Sequence, residues 1–228
     1  MSNQEYAYLL EADLHARVSS RCRRAYLHDL RDGLQAISGA VDLLARSTTT
    51  GSDNRLLIDR ASDLSRRALA AYETSIASTL DDLLIPGDAP APVAVGDLIH
   101  ESMKFLRNDA ASKEISIRFT RAEEATLRVP RRKLRMLILG LLTAAIDRLP
   151  AGEEIRIEVG RAEDGATIDI SAKVSFADPD GGTGPVEWLA VTVARNFYRA
   201  RGGRLEIDEI PGGAHRLRLA HPAPMDDG

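Results

Sequence analysis

The residue of this chain with the strongest claim to chemistry is His28. Asp32 follows it by four positions and Arg24 precedes it by four, so on a helix the three side chains share one face. An imidazole between an acid and a base can transfer a proton or accept a phosphoryl group near neutral pH. The alternative is an ordinary surface histidine on the polar face of a helix.

The helix that must carry His28 is long and amphipathic. Apolar residues recur at alternating spacings of three and four, which is typical of a coiled-coil seam, and His28 falls one residue off that seam. Its ring is therefore predicted to point outward. We expect one helix over about 3–47 and a second over about 54–84, joined by a turn into a helical hairpin. The seam residues around the histidine are Leu27, Leu30, Leu34, Ile37, Val41 and Leu44.

A hairpin of this length cannot bury both of its faces by itself. Two copies packed as a four-helix bundle solve this problem, so the sequence favours a homodimer. The alternative is that the hairpin packs against the remainder of its own chain. Either arrangement leaves the flank that carries His28 open to a partner protein.

The sequence beyond the hairpin predicts a second, α/β domain. A stretch rich in proline and glycine indicates a linker over 85–96, after a hairpin domain over 1–84. Over 97–222, helical segments alternate with strands that are joined as hairpins at turns rich in Asp, Gly and Pro. The expected fold class is α+β, in which the second domain is a sandwich of a largely antiparallel sheet with helices on one face.

Composition narrows the possible functions. The net charge of −4 argues against binding to nucleic acid or to an anionic membrane. The single cysteine, Cys22, allows no disulfide within the chain. No signal peptide or membrane-spanning run is visible, so we expect a cytoplasmic protein. No two histidines or cysteines have the spacing of metal ligands, and no metal site is expected.

Two parts of the chain resemble the sensor histidine kinases of two-component systems. His28-Asp29-Leu30-Arg31-Asp32-Gly33-Leu34 resembles their phospho-acceptor box, and the second half resembles their ATP-binding domain. Residues 141–147 lie where that family has a Leu-Leu-x-Asn-Ala motif, and residues 188–203 lie where it has a glycine-rich motif followed by a helix. The resemblance implies a phospho-acceptor histidine in the hairpin and a kinase-like ATPase fold in the second domain.

Several departures from the family pattern affect the nucleotide site. Ala144 stands where the family has the asparagine that holds Mg²⁺ and phosphates, and a methyl group offers no oxygen ligand. Trp188 and Ala190 replace glycines that allow the backbone to approach phosphate, and Trp188 is large enough to fill the nucleotide's space. Asp178 and Gly182 do not reproduce the adenine-binding Asp-x-Gly-x-Gly box. We therefore expect neither ATP binding nor any other cofactor.

A kinase-like dimer that has its histidine but no nucleotide site is similar to the bundle-type histidine phosphotransferases of the ChpT type. These proteins relay a phosphoryl group between aspartates of two receiver domains, and the receiver supplies Mg²⁺. We assign His28 as the phospho-acceptor, Asp29 as the hydrogen-bond partner of its ring and Arg31 as a stabiliser of phosphoryl oxygens or, equally, a solvated charge. Two alternatives are a protein that sequesters a receiver without chemistry and a residual sensor kinase. Receiver docking is assigned to Arg24, Asp32 and Gln35.

Overall fold

The structure, a computed structural model, describes residues 3–49, 55–84, 89–162, 165–174 and 186–222. The chain divides into two compact units. One unit is Arg21–Gly87, and the other combines Met1–Ser20 with Asp88–Gly228. The predicted α+β fold, with long N-terminal helices and a C-terminal sheet, is confirmed.

Two long helices form the hairpin. Helix α1 spans Asn3–Thr49 and α2 spans Arg55–Leu84. Within the Arg21–Gly87 unit, α1 and α2 meet through small side chains, because a Cβ on Gly39 would lie 3.8 Å from a methyl carbon of Leu64. Among the side chains of this unit whose burial the structure describes, the buried ones are also small: Gly33, Ala40, Ala61 and Ala68.

The predicted seam is only partly covered within one chain. Leu27, Leu34 and Val41, which follow each other at intervals of seven, are 56%, 57% and 57% exposed. Leu30 and Ile37, which alternate with them, are half-buried. One apolar stripe of α1 therefore faces away from α2 and has no cover from the described residues of its own unit.

The second unit holds two sheets and three helices beside the start of α1. The strands of the larger sheet lie in the order β2-β4-β5-β7-β6, where β2 is parallel to β4 and the other neighbours are antiparallel. Strands β1 and β3 form a separate antiparallel pair. The elements are β1 Ala91–Ala94, α3 Val95–Ser112, β2 Ser116–Arg121, β3 Thr126–Val129, α4 Arg131–Arg148, β4 Glu154–Ala162, β5 Gly165–Ala172, α5 Val186–Arg199, β6 Arg204–Ile210 and β7 Ala214–Pro222.

The core lies between the larger sheet and the helices. Strand β5 alternates strictly: Ile168 and Ile170 are buried, whereas Asp169 lies on the open face, where it receives two hydrogen bonds of 2.8 Å from Arg218. Helix α4 is buried over most of its length, which accounts for its apolar composition. Helix α5 ends before Gly202, whose φ of 72° suits a residue without a Cβ.

The structure differs from the sequence prediction at the domain borders. Part of the segment predicted as a linker, 85–96, forms β1, whose Val93 is 2% exposed, and α3 begins at Val95. Residues Met1–Ser20, predicted to belong to the hairpin domain, group with the α/β unit instead. None of the described helices is both long enough and apolar enough to span a membrane.

Candidate phospho-acceptor site

His28 lies on α1 within the Arg21–Gly87 unit, and its side chain is 55% exposed. Its Nδ1 atom lies 3.1 Å from an Oδ2 oxygen of Asp32, one helical turn further on. A carboxylate cannot donate a hydrogen bond at neutral pH, so in a neutral imidazole Nδ1–H is the donor. In that tautomer the in-plane lone pair of the ring lies on Nε2.

The structure places against the ring a residue that the sequence analysis assigned to receiver docking. Asp29 was expected to hold the ring and Asp32 to serve docking, whereas Asp32 makes the 3.1 Å contact with the Nδ1 atom. The interval of four residues between His28 and Asp32 was the available signal, because side chains four apart on a helix are neighbours. The roles of Asp29 and Arg31 in phosphoryl transfer stay predictions.

The helix surface beside His28 is polar and carries cations. Arg24, Arg31 and Gln35 are exposed. At about 100° per residue they and His28 fall within an arc of about 60° on the helix, so one partner surface can reach all four. Two guanidinium groups beside an imidazole favour a partner that brings an anion, such as a phosphorylated carboxylate.

The kinase resemblance assigns a nucleotide to the face of α4 and α5. Ala144 is 8% exposed there and supplies no oxygen to a cation or a phosphate. In the parts of the chain that the structure describes, no cluster of three histidine, cysteine or acidic side chains could hold a metal ion. That this face binds no nucleotide stays a prediction.

The start of α1 packs on α4 at Gly140, next to Ala190 of α5. Gly140 lies one turn before Ala144, and a Cβ on Gly140 would be 2.9 Å from a methyl carbon of Leu14 and 3.3 Å from the Cβ of Ala190. Leu14 is 2% exposed. Leu14 of α1 thus packs on α4 one turn from Ala144.

Polar contacts flank Leu14 and hold the same segment. The Nζ of Lys133 lies 3.2 Å from a carboxylate oxygen of Glu11, and an NH2 group of Arg132 lies 3.0 Å from Nε2 of His15. Sequence reasoning missed this contact, because the periodicity of α1 marks a buried face but not its partner.

The expectation that Trp188 fills the nucleotide's space concerns a side chain outside the described ones, and Asp178 and Gly182 also lie outside the described residues.

Comparisons with known sequences point to one group of proteins. No family model matches the chain. The sensor histidine kinase ZraS of Escherichia coli O157:H7 is 24% identical over 213 residues, which are 86% of this chain and 44% of that protein. The sensor histidine kinase ZraS of Salmonella typhimurium is 26% identical over 209 residues, 81% of this chain and 42% of that protein. The chain thus spans less than half the length of the relatives it matches.

Solved structures show the same fold. A histidine kinase from Burkholderia phymatum matches 91% of this chain and 99% of its own, with a TM-score of 0.51 and 17% identity. The catalytic domain of histidine kinase ThkA matches 58% of this chain and 95% of its own, with a TM-score of 0.52 and 13% identity. The chain therefore has a histidine-kinase-like fold and is related in sequence to the sensor histidine kinases of two-component systems.

Proposed function

We propose that this chain is a histidine phosphotransferase of the ChpT type. It relays a phosphoryl group between receiver-domain aspartates through His28 and binds no ATP. The observation that carries the proposal is the combination of an exposed imidazole, held at Nδ1 by Asp32, with an alanine at residue 144, one turn from the point where Leu14 packs on α4. Because receiver domains are its partners, we expect the protein to act in the cytoplasm.

The transfer step follows from the ring geometry. Nε2 of His28 attacks the phosphorus of the receiver's aspartyl phosphate, an N–P bond forms, and the P–O bond to the aspartate breaks. The aspartate leaves as a carboxylate. The ring keeps its Nδ1 proton and becomes cationic, and the carboxylate of Asp32 stabilises that charge. A second receiver reverses these steps and takes the phosphoryl group to its own aspartate.

The remaining side chains of the helix face serve positioning. Such a transfer depends mainly on alignment and on charge stabilisation, and the receiver brings its own Mg²⁺. Arg24 and Arg31 are placed to attract the phosphorylated receiver, and Gln35 lies on the same arc. Asp29 is adjacent to the acceptor and borders this surface.

The homodimer is part of the proposal, and the exposed stripe of Leu27, Leu34 and Val41 supports it. A second hairpin that covers these side chains would bury an apolar stripe that the monomer leaves in water. We expect Leu34→Glu to convert a dimer into a monomer in light scattering. Leu56→Glu, at a leucine that is 73% exposed on α2 and outside the stripe, should leave the dimer intact. A dimer that tolerates Leu34→Glu would contradict this arrangement.

The decisive experiment is a phosphotransfer assay with a radiolabelled phospho-receiver. We expect label on the wild-type chain and, after a second receiver is added, on that receiver. His28→Ala should abolish labelling, whereas His15→Ala, a matched histidine on the same helix, should retain it.

Other outcomes distinguish the alternatives. Capture of the receiver without label on the chain would support sequestration and overturn the relay. Label on the chain from radiolabelled ATP alone would support a residual kinase. Label that survives His28→Ala would place the acceptor elsewhere.

A further inference from the structure

A groove runs along the flank of α3, beside the edge strand β2. Its cavity has a volume of about 480 Å³, which lies within the range of ligand-binding pockets. The floor is apolar and the rim is cationic. The residues that matter for the argument are Met103, Ile115 and Ile117 on the floor and His100, Lys104 and Arg107 on the rim.

Two basic side chains of the rim are not neutralised by the described residues. Lys104 and Arg107 lie on one face of α3, are exposed, and form no ion pair or hydrogen bond with any residue that the structure describes. Two acidic side chains of α3 are engaged elsewhere: Glu101 lies 2.6 Å from Arg131, and Asp97 pairs with Arg121 of β2. In a chain of net charge −4, this is a local concentration of positive charge that suits an anionic partner.

The backbone of β2 is open on the groove side. Among the strands that the structure describes, β2 ends the larger sheet and pairs with β4 alone. The amide of Ser116 donates to the carbonyl of Glu153 at 3.0 Å, and the amide of Ala122 donates to Val159 at 2.9 Å, so even-numbered residues face β4. Along a strand the amides alternate between its two sides, and those of Ile117 and Phe119 therefore point to the unpaired edge.

We propose that this groove binds an extended peptide segment of a partner protein, with acidic and apolar side chains on the face that meets α3. The peptide adds a strand to β2, its apolar side chains enter the groove beside Ile117, and its carboxylates meet Lys104 and Arg107. From His100 to Arg107 the rim measures about 10 Å along the helix, which corresponds to about three residues of an extended chain. The open amides of β2 favour a main chain over a small amphiphilic anion, which would leave them unused.

The test uses the full chain and a fluorescent octapeptide, Thr-Glu-Thr-Leu-Thr-Glu-Thr-Leu, which carries glutamate and leucine on one face of a strand. Fluorescence anisotropy should show saturable binding. Lys104→Glu combined with Arg107→Glu should weaken it about tenfold or more. The matched control, Arg195→Glu on α5, reverses the charge of an exposed arginine outside the groove and should change the affinity less than twofold.

Two versions of the peptide test the strand pairing. In one, the amides of residues 2, 4 and 6 are N-methylated, and in the other those of residues 3, 5 and 7. Only one set can face β2, so we expect the two affinities to differ at least fivefold. Equal affinities overturn the strand addition. Absence of binding at millimolar peptide, or equal binding to the charge-reversed variant, overturns the proposal as a whole.

Discussion

Truncation of Leu14 tests whether the start of α1 is an integral part of the α/β unit. This side chain is 2% exposed and lies against Gly140 of α4. A buried leucine cut back to alanine loses its transfer free energy and leaves a cavity, at a cost of about 3 kcal/mol. We expect Leu14→Ala to lower the free energy of unfolding by that amount. Leu9→Ala, at a leucine of the same segment that is 53% exposed, should change it by less than about 0.5 kcal/mol.

Gly140→Ala supplies the second arm of a double-mutant cycle. Alanine is better than glycine inside a helix by about 1 kcal/mol. The new Cβ would lie 2.9 Å from a methyl carbon of Leu14, however, and the shift that relieves this clash costs about 1–2 kcal/mol. The net effect in the wild-type background is a loss of about 0–1 kcal/mol. In the Leu14→Ala background the clash is gone, so the same substitution should stabilise the protein by about 1 kcal/mol.

The double variant should therefore be about 1–2 kcal/mol more stable than the sum of the two single effects predicts. Urea unfolding of the four full-length proteins, followed by far-ultraviolet circular dichroism, measures it. If Leu14→Ala lowers the free energy of unfolding by less than about 1 kcal/mol and Gly140→Ala has the same effect in both backgrounds, Leu14 does not pack against α4. The packing argument against a nucleotide would then fail, while the chemical argument from Ala144 would stand.

Three further predictions concern other parts of the chain. Gly203→Ala should lower the free energy of unfolding by about 2–3 kcal/mol, because the new Cβ would lie 2.6 Å from the backbone oxygen of Ala220, which cannot rotate away. An unchanged melting temperature would refute this. The hydroxyl of Tyr198 is buried without a partner among the described residues, and burial raises its pKa. Above pH 10 this tyrosine therefore ionises in the unfolded chain before it ionises in the folded one. The free energy of unfolding then falls by about 1.4 kcal/mol per pH unit. Tyr198→Phe should remove this dependence on pH and raise the free energy of unfolding by about 1 kcal/mol at neutral pH. If urea titrations above pH 10 give the variant and the wild type the same slope of unfolding free energy against pH, the prediction is contradicted. Asp32→Asn should slow labelling by a phospho-receiver about tenfold, and Asp29→Asn should slow it less; equal rates would show that the contact at Nδ1 does not matter.

Local patterns predicted the long elements well. The spacing of apolar residues predicted both helices of the hairpin to within two residues, since a period of 3.6 repeated over many turns leaves little ambiguity. The four-residue strands β1 and β3 were missed. A run such as Ala91–Ala94, with a proline at its second position, has no alternation long enough to recognise, and it becomes a strand only through pairing with Thr126–Val129.

The acceptor site was predicted in part, for a physical reason. The exposure of His28 follows from its place beside the seam, which one sequence suffices to show. Which acid holds its ring depends on side-chain geometry. Asp29 is adjacent in sequence but about 100° away around the helix, whereas Asp32 is about 40° away and one turn on. Spacing on the helix, rather than adjacency in the chain, identifies the partner at such a site.

The nucleotide cleft shows how residue types and packing give separate grounds for one conclusion. Ala144 removes the oxygen ligand, which is a statement about chemistry that the sequence alone supports. Leu14 packs on α4 one turn from Ala144, which is a statement about packing that the periodicity of α1 could not make, because a buried face can meet any apolar partner. In the proposed function, both features oppose a nucleotide: residue 144 offers no oxygen ligand, and a leucine that is 2% exposed lies close by. Because the two features are independent, we expect that Ala144→Asn alone would not restore nucleotide binding.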